Sequence, residues 1–172
     1  MTDGAGGSAA RLHDLFDRHW AHTMAEHPEL ATMTGWPHGH DRWTDLSVEA
    51  VERRRGEAWR WLEEIRSIDP VGLDDIDRRS HEMFTAVERY EVDGAAFPSA
   101  YLPLHQREGP QLDAAFILGV MGKDTDREHR DLLGRLRGVP DLVDQTIALL
   151  HRGLELGVTP PAICLREVPT QI

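Results

Sequence analysis

Apolar residues recur at three- and four-residue spacing along most of the chain, the signature of amphipathic helices. Leu12, Leu15, Phe16, His19, Trp20 and Thr23/Met24 form the first stripe. It predicts a helix from near Ser8 that ends before Pro28, because the residue preceding proline is pushed out of the helical region. Ser47 caps a second helix, with Glu49 and Glu52 near its positive end. Val48, Val51, Arg55, Ala58, Leu62 and Ile65 form its stripe, Trp59 widens it, and Asp69-Pro70 stops it. Asp74 caps a third helix, lined by Ile76, Ser80, Met83, Phe84, Val87 and Tyr90 and closed by Gly94.

Between these stretches, residues 35–46 are rich in turn formers. Residues 95–112 carry three prolines and a glycine and read as a long irregular connection. A loop of that length inside a compact domain is often functional. Helical pattern resumes at Asp113 as a short helix to Val120. Asp124 or Thr125 caps another, which uses Leu132, Leu133 and Leu136. Pro140 suits the first turn of the next, whose stripe is Leu142/Val143, Thr146/Ile147, Leu150 and Leu154, with Gly157 as its stop. Pro160-Pro161 opens a last segment. The pattern is all-α: an irregular array of about six to seven helices, with a disordered tail over residues 1–8 and a single helical domain over residues 9–172.

Composition narrows the function classes. The chain has 172 residues, 19 Lys+Arg against 30 Asp+Glu and a net charge of −11. Its one basic run, Arg53-Arg54-Arg55, is flanked by Glu52 and Glu57, so a nucleic-acid partner is not expected. Apolar runs such as 114–120 fall far short of a bilayer span, and Met1–Ala10 lacks the basic and apolar regions of a signal peptide. The expectation is a cytoplasmic protein with no membrane partner. A single cysteine, Cys164, excludes an internal disulfide and multi-cysteine metal sites within the chain; beside Ile163 and Leu165 it reads as inert core.

Candidate chemistry is sparse. His81-Glu82 lacks the second histidine of a zincin helix, since Thr85 stands four residues on; a partly exposed helical pair accounts for it. His38, His40 and Asp41 put three metal-ligand types into four residues, but on a glycine-containing loop with no rigid frame; a surface loop is the favoured reading. His13, His19 and His22 stand on the first helix, with His19 near the apolar stripe and the others toward solvent. No nucleophile elbow or phosphate-binding glycine loop is present. His105, Gln106, Gly109, Pro110 and Gln111, in the long connection, place an imidazole and two amides where they could line a groove; a solvated linker is the plainer alternative.

Five segments in register, LFDRHW (15–20), HPELATMTG (27–35), HDRWTDLSVEAVERR (40–54), LPLHQREGPQL (102–112) and VPDLVDQTIALLHRGLELGVTPP (139–161), resemble the amino-terminal part of the bacterial family called domain of unknown function 885. The resemblance implies a larger, mostly helical protein grouped with zinc metallopeptidases, whose His-Glu metal motif lies in the carboxy-terminal part. No metal ligand or general base carries over, and His81-Glu82 does not align with that motif. Pro169 departs from the helix expected there. What the resemblance implies here is a substrate-channel wall using the 105–111 loop, with no catalytic residue and no cofactor in this chain, and zinc in the complete protein. The alternative is a stand-alone helical interaction module.

The chain stops within a turn of apolar Ile163, Cys164, Leu165 and Val168. That end predicts an incomplete part of a larger helical fold, covered by a carboxy-terminal half or by a homo-oligomer. It also predicts self-association or a melting point below ~65 °C, the upper edge for mesophilic domains.

Overall fold

The computed structural model describes residues 3–171. It is all-α. Its helices are α1 (Asp3–Glu26), α2 (Pro28–Thr34), α3 (Val48–Arg66), α4 (Asp75–Gly94), α5 (Pro110–Val120), α6 (Asp126–Arg137), α7 (Val139–Glu155) and the single turn α8 (Ala162–Leu165). Among the described residues there is no strand, only one antiparallel bridge between His105 and Glu108. The chain forms two compact units, Met1–Thr23 with Glu52–Phe97 and Met24–Val51 with Pro98–Ile172.

The first unit contains three helices. α1 and α3 run antiparallel, tied by Arg11 to Ser67, Arg18 to Glu64 and His22 to Glu57. α4 runs parallel to α1, since His13 meets Asp77 and His19 meets Glu88. Leu12, Leu15, Trp61, Leu62, Ile65, Ile68 and Leu73 form the core, with Phe16, Phe84 and Val92 packed against it. Each such buried side chain contributes about 1.5–3 kcal/mol. The Asp74 carboxylate accepts from the backbone N–H groups of Ile76 and Asp77 at 2.9 and 2.8 Å, capping α4 where the sequence places the cap.

Helix α1 begins at Asp3, so residues 3–8 are helical where the glycines predict a tail; Met1 and Thr2 lie outside the described residues. Once α1 is nucleated by its packed middle, each added residue gains a hydrogen bond without a new nucleus.

The larger correction concerns α4. Of the apolar stripe read along it, only Phe84 packs against the core; Ile76 is 75%, Met83 67%, Val87 51% and Tyr90 75% exposed. Its inner face carries His81 and Glu88, both buried. His81 Nε2–H donates to the Ile65 carbonyl at 3.0 Å, so His81 is a buried structural residue and not half of an exposed pair. Trp20 and Trp59, placed in stripes by their spacing, are also about half exposed, whereas Trp61 is in the core.

In the second unit, α2 is a helix that the periodicity does not predict: Pro28 sits in its first turn and Gly35 ends it in the left-handed conformation, φ 73°. α5 begins at Pro110, three residues before the pattern suggests. Thr125 and Glu128 make a capping box at α6, and three donors (the Thr125 hydroxyl first, then the Asp124 and Thr125 N–H groups) hold the Glu128 carboxyl below the usual carboxylate range. Val51, Tyr101 and Leu149 form an apolar cluster. Helix α7 buries Leu142, Thr146, Leu149 and Gly153 but leaves Val143, Ile147 and Leu154 of the expected stripe exposed. Gly153 is required by close approach: a Cβ there would lie 2.7 Å from the Val158 carbonyl and 2.9 Å from that of Tyr101. Cys164 is only half-buried; its four-residue helix offers no continuous inner face.

Candidate functional site

The loop between Leu102 and Pro110 is built as a closed knot. His105 and Glu108 exchange backbone hydrogen bonds across a tight turn. Gly109, at φ 126°, ends the turn in a conformation open to glycine; a Cβ there would meet Gln111 Oε1 at 2.5 Å and Leu104 Cδ1 at 2.7 Å. Its N–H donates to Asp113 Oδ2, and Pro110 starts α5. Gln111 Nε2 donates to the His105 carbonyl at 3.0 Å and also reaches the Glu108 carbonyl and Gln171 Oε1. Gln171 in turn donates to the Gln106 carbonyl at 3.0 Å, and the Gln106 N–H bonds the Cys164 carbonyl.

The structure thus brings His105, Gln106, Gly109, Pro110 and Gln111 together. Most of their polar groups hold the loop itself, including the His105 ring between Glu108 and the Arg107 N–H. Two atoms stand apart. Gln106 Oε1 and Gln111 Oε1 are buried and have no hydrogen-bond partner. An acceptor left in that state costs about 1–3 kcal/mol relative to a bonded one.

The second candidate, the loop with His38, His40 and Asp41, is organised by a residue that sequence reasoning passes over. Arg135 on α6 is fully buried, at 0% exposure. Its guanidinium donates to the Arg42 carbonyl at 3.0 Å, Thr32 Oγ1 at 2.8 Å, the Pro28 carbonyl at 3.1 Å and the Gly39 carbonyl at 3.2 Å. The Trp43 ring stacks 5.2 Å from it, and the indole N–H donates to the Arg135 carbonyl at 2.7 Å. Burial pushes the Arg135 pKa down, while the charges of Glu29, Asp41 and Asp131 pull the other way.

This arrangement does not fit a metal ion. His40 Nδ1 lies 3.0 Å from Thr32 Oγ1, the same hydroxyl that accepts from Arg135. A fixed cation therefore sits beside the only half-buried member of the trio, and His38 and Asp41 are exposed. Among the described residues, no group of three or more His, Cys, Asp or Glu is arranged to hold a metal.

A third feature, in the first unit, has no signature in the sequence pattern. An open groove of about 580 Å³ lies between α1 and α4, walled by Phe16, Trp20, Met83, Phe84 and Val87. His19 Nε2 lies 3.1 Å from Glu88 Oε1 at its edge, and the imidazole sits edge-on to Trp61 and Phe84 at 5.1 and 4.8 Å. Glu88 is 3% exposed. His13 and His22, read as solvent-facing, pair with Asp77 at 2.8 Å and Glu57 at 3.0 Å. The Asp77 hydrogen bond, then its charge, raises the His13 pKa above 6.5. Spacing alone gave no sign of these pairs, because their carboxylates lie 35 to 69 residues away.

Among the described residues, no helix is long and apolar enough to cross a membrane. The family described as "bacterial protein of unknown function (DUF885)" matches residues 28–172. No curated protein matches the chain.

Proposed function

This chain belongs to the DUF885 family of bacterial proteins, and from that membership we propose that it supplies a helical wall of the substrate channel in a metallopeptidase-like protein. The wall binds and orients an extended peptide; the metal and the proton-transfer groups belong to another part of the assembly. The observation that carries this reading is the pair of buried amide oxygens, Gln106 Oε1 and Gln111 Oε1, left without donors in a loop that bonds most of its other polar groups within itself. Peptide N–H groups supply the missing donors, with a small shift of the turn. Backbone recognition of this kind is indifferent to side-chain sequence, as a channel for varied peptides requires.

The test is titration of the purified chain with an unreactive, capped polar pentapeptide, followed by amide NMR. Shifts confined to residues 102–112 and Gln171 are expected. Gln106→Leu removes one acceptor without touching the bonds that hold the loop, and weakens binding by about 2- to 10-fold, the value of one ordinary hydrogen bond. Absence of shifts in that loop contradicts the proposal. So does peptide hydrolysis by the chain alone with added zinc.

A second reading, an interaction module without catalysis, is favoured by one observation. Val143, Ile147 and Leu154 leave an exposed apolar stripe on α7 beside its buried one, and unpaired apolar surface of this kind marks association sites.

A further inference from the structure

The loop at 102–112 is bonded to a segment that is itself lightly held. Helix α8 and the 3-10 turn Val168–Thr170 are each a single turn, and neither has a side-chain cap. Of the described residues 162–171, Val168 alone is buried. A segment with so few buried contacts sits at the low end of local stability. It reaches the loop by hydrogen bonds. The Gln106 N–H donates to the Cys164 carbonyl at 3.0 Å, Gln171 Nε2 donates to the Gln106 carbonyl at 3.0 Å, and Gln111 Nε2 donates to Gln171 Oε1 at 3.3 Å.

The Gln171 carboxamide therefore offers the loop one donor and one acceptor, the pair of groups that every non-proline peptide unit carries. It fills that role incompletely. The Gln111 NH2 group has two protons for three acceptors, the His105 and Glu108 carbonyls and Gln171 Oε1, so its bond to Gln171 is shared. Gln106 Oε1 and Gln111 Oε1 still lack donors. A single nitrogen that has already given one proton to the Gln106 carbonyl cannot serve both. An extended peptide brings a further N–H with each residue.

We infer that the Gln171 side chain stands in the place of a peptide group at this loop, so that an extended peptide binds by displacing it and the 162–171 segment acts as a built-in competitor. This rests on the channel-wall reading and adds regulation to the same site. Release of Gln171 leaves the loop closed, because the His105–Glu108 backbone pair and the Gln111–His105 bond do not involve it. The apparent affinity for peptide is then lowered in proportion to the fraction of chains in which Gln171 is released.

The probe is a pentapeptide with acetyl and N-methylamide caps and no Asn or Gln, so that every amide it offers is a peptide group. It is titrated into the wild-type chain, Gln171→Ala and Gln171→Glu and followed by NMR. Neither variant can donate to the Gln106 carbonyl. Each should bind about 3- to 10-fold more tightly than wild type, which corresponds to a released fraction of about 10–30% in the wild-type chain. In the wild type, the Gln171 side-chain NH2 signals should move to the positions of a solvated glutamine while the signals of 102–112 shift. Unchanged or weaker binding by the variants, or Gln171 NH2 signals that stay in place at saturation, overturns the inference; wild-type shifts in the loop then leave the channel-wall reading standing. Absence of loop shifts in all three chains removes that reading, and this inference with it.

Discussion

The two units solve the same problem, holding helices together in a chain with 28% charged residues, by different means. The first unit has a conventional seven-residue apolar cluster, and around it α1 is bound to its neighbours by three histidine–carboxylate pairs and the Arg18–Glu64 bridge. The second has a smaller apolar cluster and depends on one buried guanidinium that gathers α2, the 35–46 loop and α6. Polar contacts decorate a core in the first case. In the second a fully buried polar side chain works beside apolar residues such as Ile117, Met121, Leu142 and Leu149. Each unit should therefore fail differently when its organising groups are removed.

The largest effect is expected from Arg135→Ala. It leaves the Pro28, Gly39 and Arg42 carbonyls without their donor in a buried setting, and about 3–5 kcal/mol of stability should be lost. Urea unfolding measures it. Arg135→Lys should recover little, since an ammonium cannot present the planar fork that reaches several acceptors at once. In the first unit, Leu62→Ala opens a cavity in the cluster and should cost about 2–4 kcal/mol by the same measurement. If Leu62→Ala were the milder only by a few tenths, the contrast between the two units would lose its force.

Gly153→Ala is expected to cost about 1–3 kcal/mol, because the new methyl group strikes the Val158 and Tyr101 carbonyls; a similar change at Gly56, where nothing lies within 4 Å, should stabilise α3 by several tenths through helix propensity. Asp74→Ala removes the cap of α4 and should cost about 1 kcal/mol. Thermal unfolding distinguishes these two sizes.

The smallest effect is a pH dependence. Asp77 raises the His13 pKa in the folded chain above the ordinary 6.5, so protonation favours the folded state. The contribution is complete below 6.5 and disappears as the pH rises through the raised folded value. Unfolding midpoints should therefore fall slightly between about pH 6 and pH 8, and His13→Gln should flatten that slope. An unchanged slope would take His13 out of the account.

Much of the fold could be read from spacing and caps. Asp74, Thr125, Pro140 and Gly157 mark helix ends in the sequence and in the structure alike, because caps depend on local backbone groups that a few residues determine. Which face of a helix turns inward depends on partners far along the chain. On α4 the apolar stripe lost to His81 and Glu88, since Ile65 offers His81 a carbonyl and His19 offers Glu88 a donor. Arg135 reads as one more charge on a polar helix face, and its acceptors lie 93 to 107 residues away. Helix α2 was hidden because seven residues are too few for a periodic stripe. The 102–112 loop was legible as a place where polar groups converge, but its bonding, with the two unpartnered amide oxygens, depends on Gln171 and Cys164 from a distant segment.

Amide hydrogen exchange of Arg135→Ala beside the wild-type chain tests most directly the claim that the units are held by different groups. Loss of protection should concentrate in α2, α6 and the first turns of α7, while the amides of Leu15, Leu62 and Ile65 keep theirs. Equal loss of protection in both sets would show that Arg135 is not the organiser of the second unit alone, and would contradict the account.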